Sequence, residues 1–180
     1  MVQYHAQEHE QRMIERTNLP AAALLARYTS DTGAYTDCYS TTVPGVVTHE
    51  RFVRAFYTGF VFRIERLLLS AFAKRPSTDT DVDELAAGAR DQFAAWDVEA
   101  RAPDQVLLRD FTGRTRSWLM VEPTWDCRGT TLYFGSAVVP KVDAASGERR
   151  LGRRFELLLG FHNLYSRVLL RAARARVLRA

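Results

Sequence analysis

Cysteine is scarce in this chain: two in 180 residues, Cys38 and Cys127, in different segments and without C-x-x-C spacing. That excludes a disulfide scaffold and a zinc knuckle, and points to free, packed thiols in a reducing compartment. Long hydrophobic runs are also missing. The two most apolar stretches, Phe60 to Ala73 and Phe155 to Leu170, are interrupted by Arg63, Glu65, Arg66, Glu156, His162 and Arg167. Neither is expected to span a bilayer. The N-terminus, M-V-Q-Y-H-A-Q-E-H-E-Q-R, is too polar to read as a signal peptide. The expected location is cytoplasmic. There is no low-complexity tract, internal repeat, G-x-S-x-G or glycine-rich phosphate loop. No cofactor or metal is therefore expected.

What is present is enough for one folded domain. The chain is 47% hydrophobic and 26% charged, a composition able to bury a core without metal or disulfides. Its net charge of +4 is unevenly placed. Residues 141 to 180 hold ten Lys or Arg against three acids, and the rest is slightly acidic. A basic C-terminal segment can meet phosphate, anionic lipid or nucleic acid, or can be the solvated stripe of an amphipathic helix. The second reading leaves no nucleic acid among the expected partners.

The last thirty residues, Leu151 to Ala180, contain no proline and have helical periodicity. At about 100° per residue, Phe155, Leu158, Leu159, His162, Tyr165, Leu169, Ala172 and Ala173 share a face. Glu156, Asn163, Arg167, Arg171 and Arg174 lie opposite. Phe161, Leu164 and Val168 widen the apolar arc, which predicts a helix gripped on several sides rather than laid on a sheet.

Residues 1 to 33 read as an N-terminal helical arm, with a short helix from a cap at Asn18 to about Tyr28. Ala34 to Val43 is rich in aromatic and β-branched residues and predicts the first strand. Thr48 suits a helix N-cap, with Phe52, Phe56, Phe60 and Ile64 or Leu67 at helical spacing up to Ala73, as one helix or as two divided at Gly59. A further short helix follows Pro76, as far as about Gly88. Four strands come next, over 94–102, 105–111, 114–122 and 130–139, joined by short turns such as Thr112-Gly113. Strand, helices, antiparallel meander and long helix together predict an α+β fold over 34–180, a curved antiparallel sheet wrapped around the C-terminal helix.

Five stretches carry a family resemblance over about residues 34 to 178: Y-T-D-C-Y, F-A-A-W-D-V-E, L-L-R-D-F-T-G-R-T-R-S-W-L, T-L-Y-F-G-S-A-V-V-P and L-L-G-F-H-N-L-Y-S-R-V-L-L-R. This pattern resembles the START-like (SRPBCC) helix-grip superfamily, and within it an uncharacterised branch, a domain of unknown function. The resemblance implies a cavity between sheet and C-terminal helix. The superfamily includes lipid and hormone binders, polyketide cyclases and aromatases, so it leaves the chemistry open.

His162, Tyr165 and Ser166 fall within about one turn on the apolar side of that helix. A neutral imidazole and a phenol there suit orientation of a ligand carbonyl or acid–base work. The alternative is a core histidine bonded to a strand carbonyl or carboxylate. Arg114, Arg116, Trp118, Met120 and Glu122 form one row of a strand, in which arginines clamp an anion or pair across strands with Asp110 or Asp97. Tyr35, Asp37 and Tyr39 share another row, and an inward Asp37 needs a partner. His5, Glu8 and His9 match H-x-x-E-H, which chance explains best because no third ligand is evident.

The leading expectation is a binder of a small hydrophobic or amphipathic molecule. Trp118, Met120, Tyr133, His162 and Tyr165 would line the cavity, with Asp37, Arg116 and Glu122 as polar groups in it. A cyclase- or aromatase-like enzyme using His162 is the second reading. The third is an interaction module using Arg167, Arg171, Arg174 and Arg179.

Overall fold

A computed structural model describes residues 14–29, 33–59, 77–142, 149–150 and 153–179, with side chains described for these except 141–161. Its centre is a seven-stranded, wholly antiparallel open sheet. In chain order the strands are β1 (Glu15–Arg16), β2 (Tyr35–Pro44), β3 (Gln92–Phe93), β4 (Trp96–Ala102), β5 (Gln105–Asp110), β6 (Thr115–Pro123) and β7 (Gly129–Val138). In space the order is β1-β2-β7-β6-β5-β4-β3. The meander β4 to β7 follows the expected hairpins; Gly113, at φ +70°, supplies the left-handed residue in the β5–β6 turn. β2 joins from outside the meander by pairing along its length with β7, Tyr35 opposite Val138 and Pro44 opposite Gly129. A separate pair, β8 (Lys141–Val142) and β9 (Arg149–Arg150), precedes the long helix.

Among the described residues three α-helices accompany the sheet: α1 (His49–Tyr57), α2 (Asp79–Ala86) and α3 (Arg153–Val177). Thr48 caps α1 by accepting from Arg51 N, and Glu50 lies in the first turn, where the helix dipole favours a negative charge. Thr78 and Asp81 form a reciprocal capping box on α2. The continuation of the first helix to Ala73, expected from its periodicity, falls outside the described residues.

Strand alternation sends two apolar sets to opposite faces. Tyr39, Val43, Val106, Leu108, Leu119, Val121, Leu132 and Phe134 pack with Phe52 and Phe56 of α1 and with Leu169, Leu170, Ala173 and Val177 of α3. α1 and α3 are also tied by hydrogen bonds. Arg51 donates to the Val177 carbonyl at 2.6 Å, satisfying an end of α3, and Arg176 donates to Thr58 Oγ1 at 3.0 Å. The other face, Cys38, Leu107, Trp118, Met120 and Ala137, is covered by Leu19, Leu24 and Leu25.

That second layer comes from the segment the sequence places in a helical arm. In place of a helix beginning at Asn18, it forms β1 against Ser40 and Tyr39 of β2, then a 3-10 turn at Leu24–Tyr28. The turn is held by Gln105, which accepts from Leu24 N at 2.8 Å and from Trp118 Nε1 at 2.9 Å, and donates to the Ala22 carbonyl at 3.0 Å. Pro20 contributes no backbone N–H and its carbonyl accepts from Ala23 N, so the chain turns rather than extending a regular helix. The sheet is thus covered on both faces.

The grip expected of α3 is also narrower than its apolar arc. Leu164 is 61% exposed and Val168 40% exposed. The sheet and α1 cover one side of the described half, and Leu164 and Val168 face solvent.

Candidate functional site

The most concentrated polar chemistry at the sheet–helix seam comes from β2, β7 and α3. Asp37 and Ser136 sit opposite each other in the β2–β7 register, both on the inner face. Asp37 is 3% exposed. Its Oδ1 accepts from Ser136 N at 3.0 Å and from Ser136 Oγ at 2.7 Å. His162 of α3 closes the group: Nε2 lies 2.8 Å from Ser136 Oγ and 3.2 Å from Asp37 Oδ2. The latter contact is close enough for charge attraction, yet Oδ2 makes no hydrogen bond. Tyr35 donates to Asn163 Oδ1 at 2.9 Å and sets its ring edge-on to the imidazole, with centroids 6.2 Å apart.

Proton bookkeeping limits what this group can do. The Ser136 hydroxyl has one proton. If it goes to Asp37 Oδ1, the imidazole donates from Nε2 to Ser136 Oγ; if it goes to Nε2, the imidazole accepts. In either case serine and carboxylate address the same ring nitrogen. A nucleophile–base–acid relay needs them on opposite nitrogens, so this is no hydrolytic triad. It is instead a hydrogen-bonded polar group, opened by His162, whose side chain is 23% exposed. One turn further along α3, the Ser166 hydroxyl is buried without a hydrogen-bond partner.

The charge of Asp37 is felt nearby. Burial raises the Tyr35 and Tyr39 phenols above their ordinary range, and Asp37 adds to the rise, while Arg16 opposes it. Cys38 is pushed up to about 12 by burial first and Asp37 second, which keeps its thiol protonated and unreactive.

The residues expected to line one cavity are divided by the sheet. Trp118, Met120 and Tyr133 belong to the outer face beneath the N-terminal segment, whereas His162 and Tyr165 are on α3 at the inner face. Strand parity explains this: Trp118 alternates with Leu119, and the α3 side takes Leu119. Of the three polar candidates, Asp37 joins His162, but Arg116 and Glu122 do not. Arg116 donates to Glu99 Oε2 at 2.9 Å and to the Tyr28 hydroxyl at 2.8 Å, with its guanidinium 4.8 Å from the Tyr28 ring centre. Its acidic partner is Glu99 rather than Asp110 or Asp97. Glu99 is the extra residue of a β-bulge between Val98 and Ala100; it keeps the outward parity of Asp97, and the bulge brings Ala100 to that face beside it. Glu122 accepts from the Tyr133 hydroxyl at 2.9 Å. Ser136 and Asn163 were absent from the expected site. Only parity with Phe134 and Leu132 marked Ser136 as inward-facing.

Two surface grooves, of about 910 and 390 Å³, are not lined by α3. The larger runs past Ser40, Thr42, Glu122, Trp125 and Thr131; the smaller lies between the 16–21 stretch and Thr36 to Cys38. Of the cavity expected between the sheet and α3, the part beside the first half of the helix lies outside the described side chains, and so does the His5, Glu8, His9 run. Among the arginines of the basic stripe, Arg167 lies 5.9 Å from the Tyr39 ring centre. Arg171 and Arg179 are exposed, and Arg174 is half-buried. No helix among the described residues is long and apolar enough to cross a membrane.

A scan against protein-family models and a search of curated proteins find no match. Among solved structures the chain is similar to the C-terminal domain of a Deinococcus radiodurans protein, determined by solution NMR. The identity is 14%, over 71% of this chain and 90% of that domain, with a TM-score of 0.27. A score that low carries no conclusion about shared fold or function.

Proposed function

We propose that the protein binds a small amphipathic molecule in helix-grip fashion. The molecule's polar end is held by His162, Asp37 and Ser136 at the seam between the sheet and α3. One observation carries this reading: the Asp37 carboxylate is 3% exposed while Oδ2 lacks a hydrogen bond, beside an imidazole that is partly open. A buried carboxylate oxygen held only by the 3.2 Å contact with His162 Nε2 is under-satisfied, and a ligand hydroxyl or amine donating to it offsets that cost. The antiparallel sheet with its long C-terminal helix and the START-like resemblance support the same reading.

Native mass spectrometry of protein purified from its own host tests it by retaining a co-purified small molecule. Against that molecule, His162→Ala and Asp37→Asn should each weaken binding by about tenfold or more, the worth of a charge-assisted hydrogen bond. Loss of thermal stability with unchanged affinity would mean that His162 only ties α3 to the sheet.

A second reading, an enzyme of the cyclase or aromatase type, is favoured by the 3.2 Å approach of Asp37 to His162. Two titratable groups sharing a partly open site can hold and return a proton. Turnover of the co-purified molecule with a bell-shaped pH profile, lost in His162→Ala but not in Tyr165→Phe, would select it.

A further inference from the structure

We infer that the solvent side of α3 is a docking surface for an acidic amphipathic helix of a partner protein. Leu164, Val168, Arg171, Ala175 and Leu178 follow one another at separations of four, three, four and three residues. That 3.5-residue average keeps them in one row along the helix, as in the seam of a two-helix coiled coil. The row runs over roughly 21 Å at 1.5 Å per residue. It is not the face that holds the domain together: Leu169, Leu170, Ala173 and Val177 do that, and each is at most 5% exposed. By contrast Leu164, Val168 and Leu178 are 61%, 40% and 46% exposed.

Charge selects the occupant. From 162 to 179 the helix and the turn that ends it carry five arginines and no acid. Arg171 sits within the row, and Arg167 is exposed beside it. A second copy of this helix, in either direction, brings arginine to arginine with no carboxylate to neutralise them, so self-association is disfavoured. An anionic membrane satisfies the charge, but a surface-lying helix presents a broad apolar face with aromatic anchors. This row is narrow and has no aromatic residue between 164 and 178 except the inward Tyr165. A helix with leucines in its own seam and glutamates flanking it meets both features: apolar knobs between the exposed side chains, carboxylates against Arg167 and Arg171.

The probe is a labelled synthetic helix of about three heptads with Leu at the seam positions and Glu at the flanking ones, titrated with the full chain at low salt by fluorescence anisotropy. A matched peptide with Lys in place of Glu is the control. The expected result is saturable binding of the Glu peptide at around ten micromolar, weakening as salt rises, and none of the Lys peptide. Leu164→Glu with Val168→Glu should reduce binding by roughly tenfold or more. Arg171→Glu should weaken the Glu peptide and gain binding of the Lys peptide, a reversal that no loss of stability produces. Circular dichroism melts check that the variants remain folded. Equal binding of both peptides, or none of either at about one hundred times that concentration, overturns the proposal. So does concentration-dependent dimerisation abolished by Leu164→Glu, or binding to phosphatidylserine vesicles without binding of the Glu peptide.

Discussion

His49 shows how much a single buried side chain can set. It opens α1, is 8% exposed, and leaves Nε2 without a hydrogen-bond partner. Burial holds its pKa down at about 4, against 6.5 for the free side chain; Arg101 pushes the same way, while the Leu119 backbone and Asp104 oppose. A histidine with a depressed folded-state pKa binds fewer protons folded than unfolded. Its stabilising contribution is therefore complete above pH 6.5 and is lost as pH falls toward 4. A shift of that size is worth about 3 kcal/mol. Urea unfolding between pH 7 and 4 should show the stability advantage of the wild type over His49→Asn shrinking by about that amount. Parallel pH curves for the two proteins would show that His49 carries no linkage. The sequence marked His49 only as the residue after a helix cap. Nothing in the local pattern H-E-R-F distinguishes a first-turn histidine that faces a strand from one that faces water. Arg116 was illegible for a related reason. Strict alternation through W-D-V-E-A-R-A puts both Asp97 and Glu99 on the face of Arg116, and the bulge that shifts the register before Ala100 leaves no mark in the sequence, so Glu99 could not be told from Asp97 as the partner.

At the scale of elements, most of the sheet was legible because strand periodicity is local. The first strand and the meander lie within two residues of their expected bounds. Which face met the helix was not legible. β6 reads R-S-W-L-M-V, apolar at both parities, so either row could have been the inner one. The helix took Leu119 and Val121, leaving Trp118 and Met120 to the N-terminal turn, because residues 19–25 supplied a second cover. Gln105 and Gly135 fit that cover to the strands. A Cβ on Gly135 would lie 2.8 Å from the Asp37 carbonyl oxygen, 2.8 Å from Leu25 Cδ2 and 3.0 Å from Trp118 Cε3. The carbonyl belongs to the adjoining strand and cannot withdraw, so Gly135→Ala should cost about 2 kcal/mol or more in chemical denaturation. Gln105→Ala removes three hydrogen bonds at once and leaves Leu24 N, the Ala22 carbonyl and Trp118 Nε1 unpaired. We expect it to lower stability by about 3 kcal/mol. Its Trp118 emission should also shift to the red as water reaches the indole. A change within about 0.5 kcal/mol would mean that the turn finds other partners. Only the polarity of Gln105 at the start of an apolar strand hinted at this role.

The described residues form three layers: helices, sheet and a thin N-terminal cover. The resemblance over 34–178 stops short of that third layer, and a chain beginning at Gly33 tests whether the first two suffice. Such a chain uncovers Cys38, Leu107, Trp118, Met120 and Ala137 together, a contiguous apolar surface now at most 3% exposed. It also removes Tyr28 from Arg116 and Leu24 N from Gln105. Losing Leu25, which is fully buried, costs about 2 kcal/mol in transfer free energy alone. The orphaned Gln105 and the exposed indole add about as much again. A loss of roughly 4 kcal/mol or more, against a total of about 5–15 kcal/mol for an ordinary domain, brings the shortened chain close to its unfolding threshold. It should bind a dye such as ANS, melt well below the full chain and lose the protected emission of Trp118. If it instead melted within about 2 °C of the full chain, residues 14–29 would be a dispensable arm. The exposed Trp118 face would then be a surface that the two-layer domain can hold open to water.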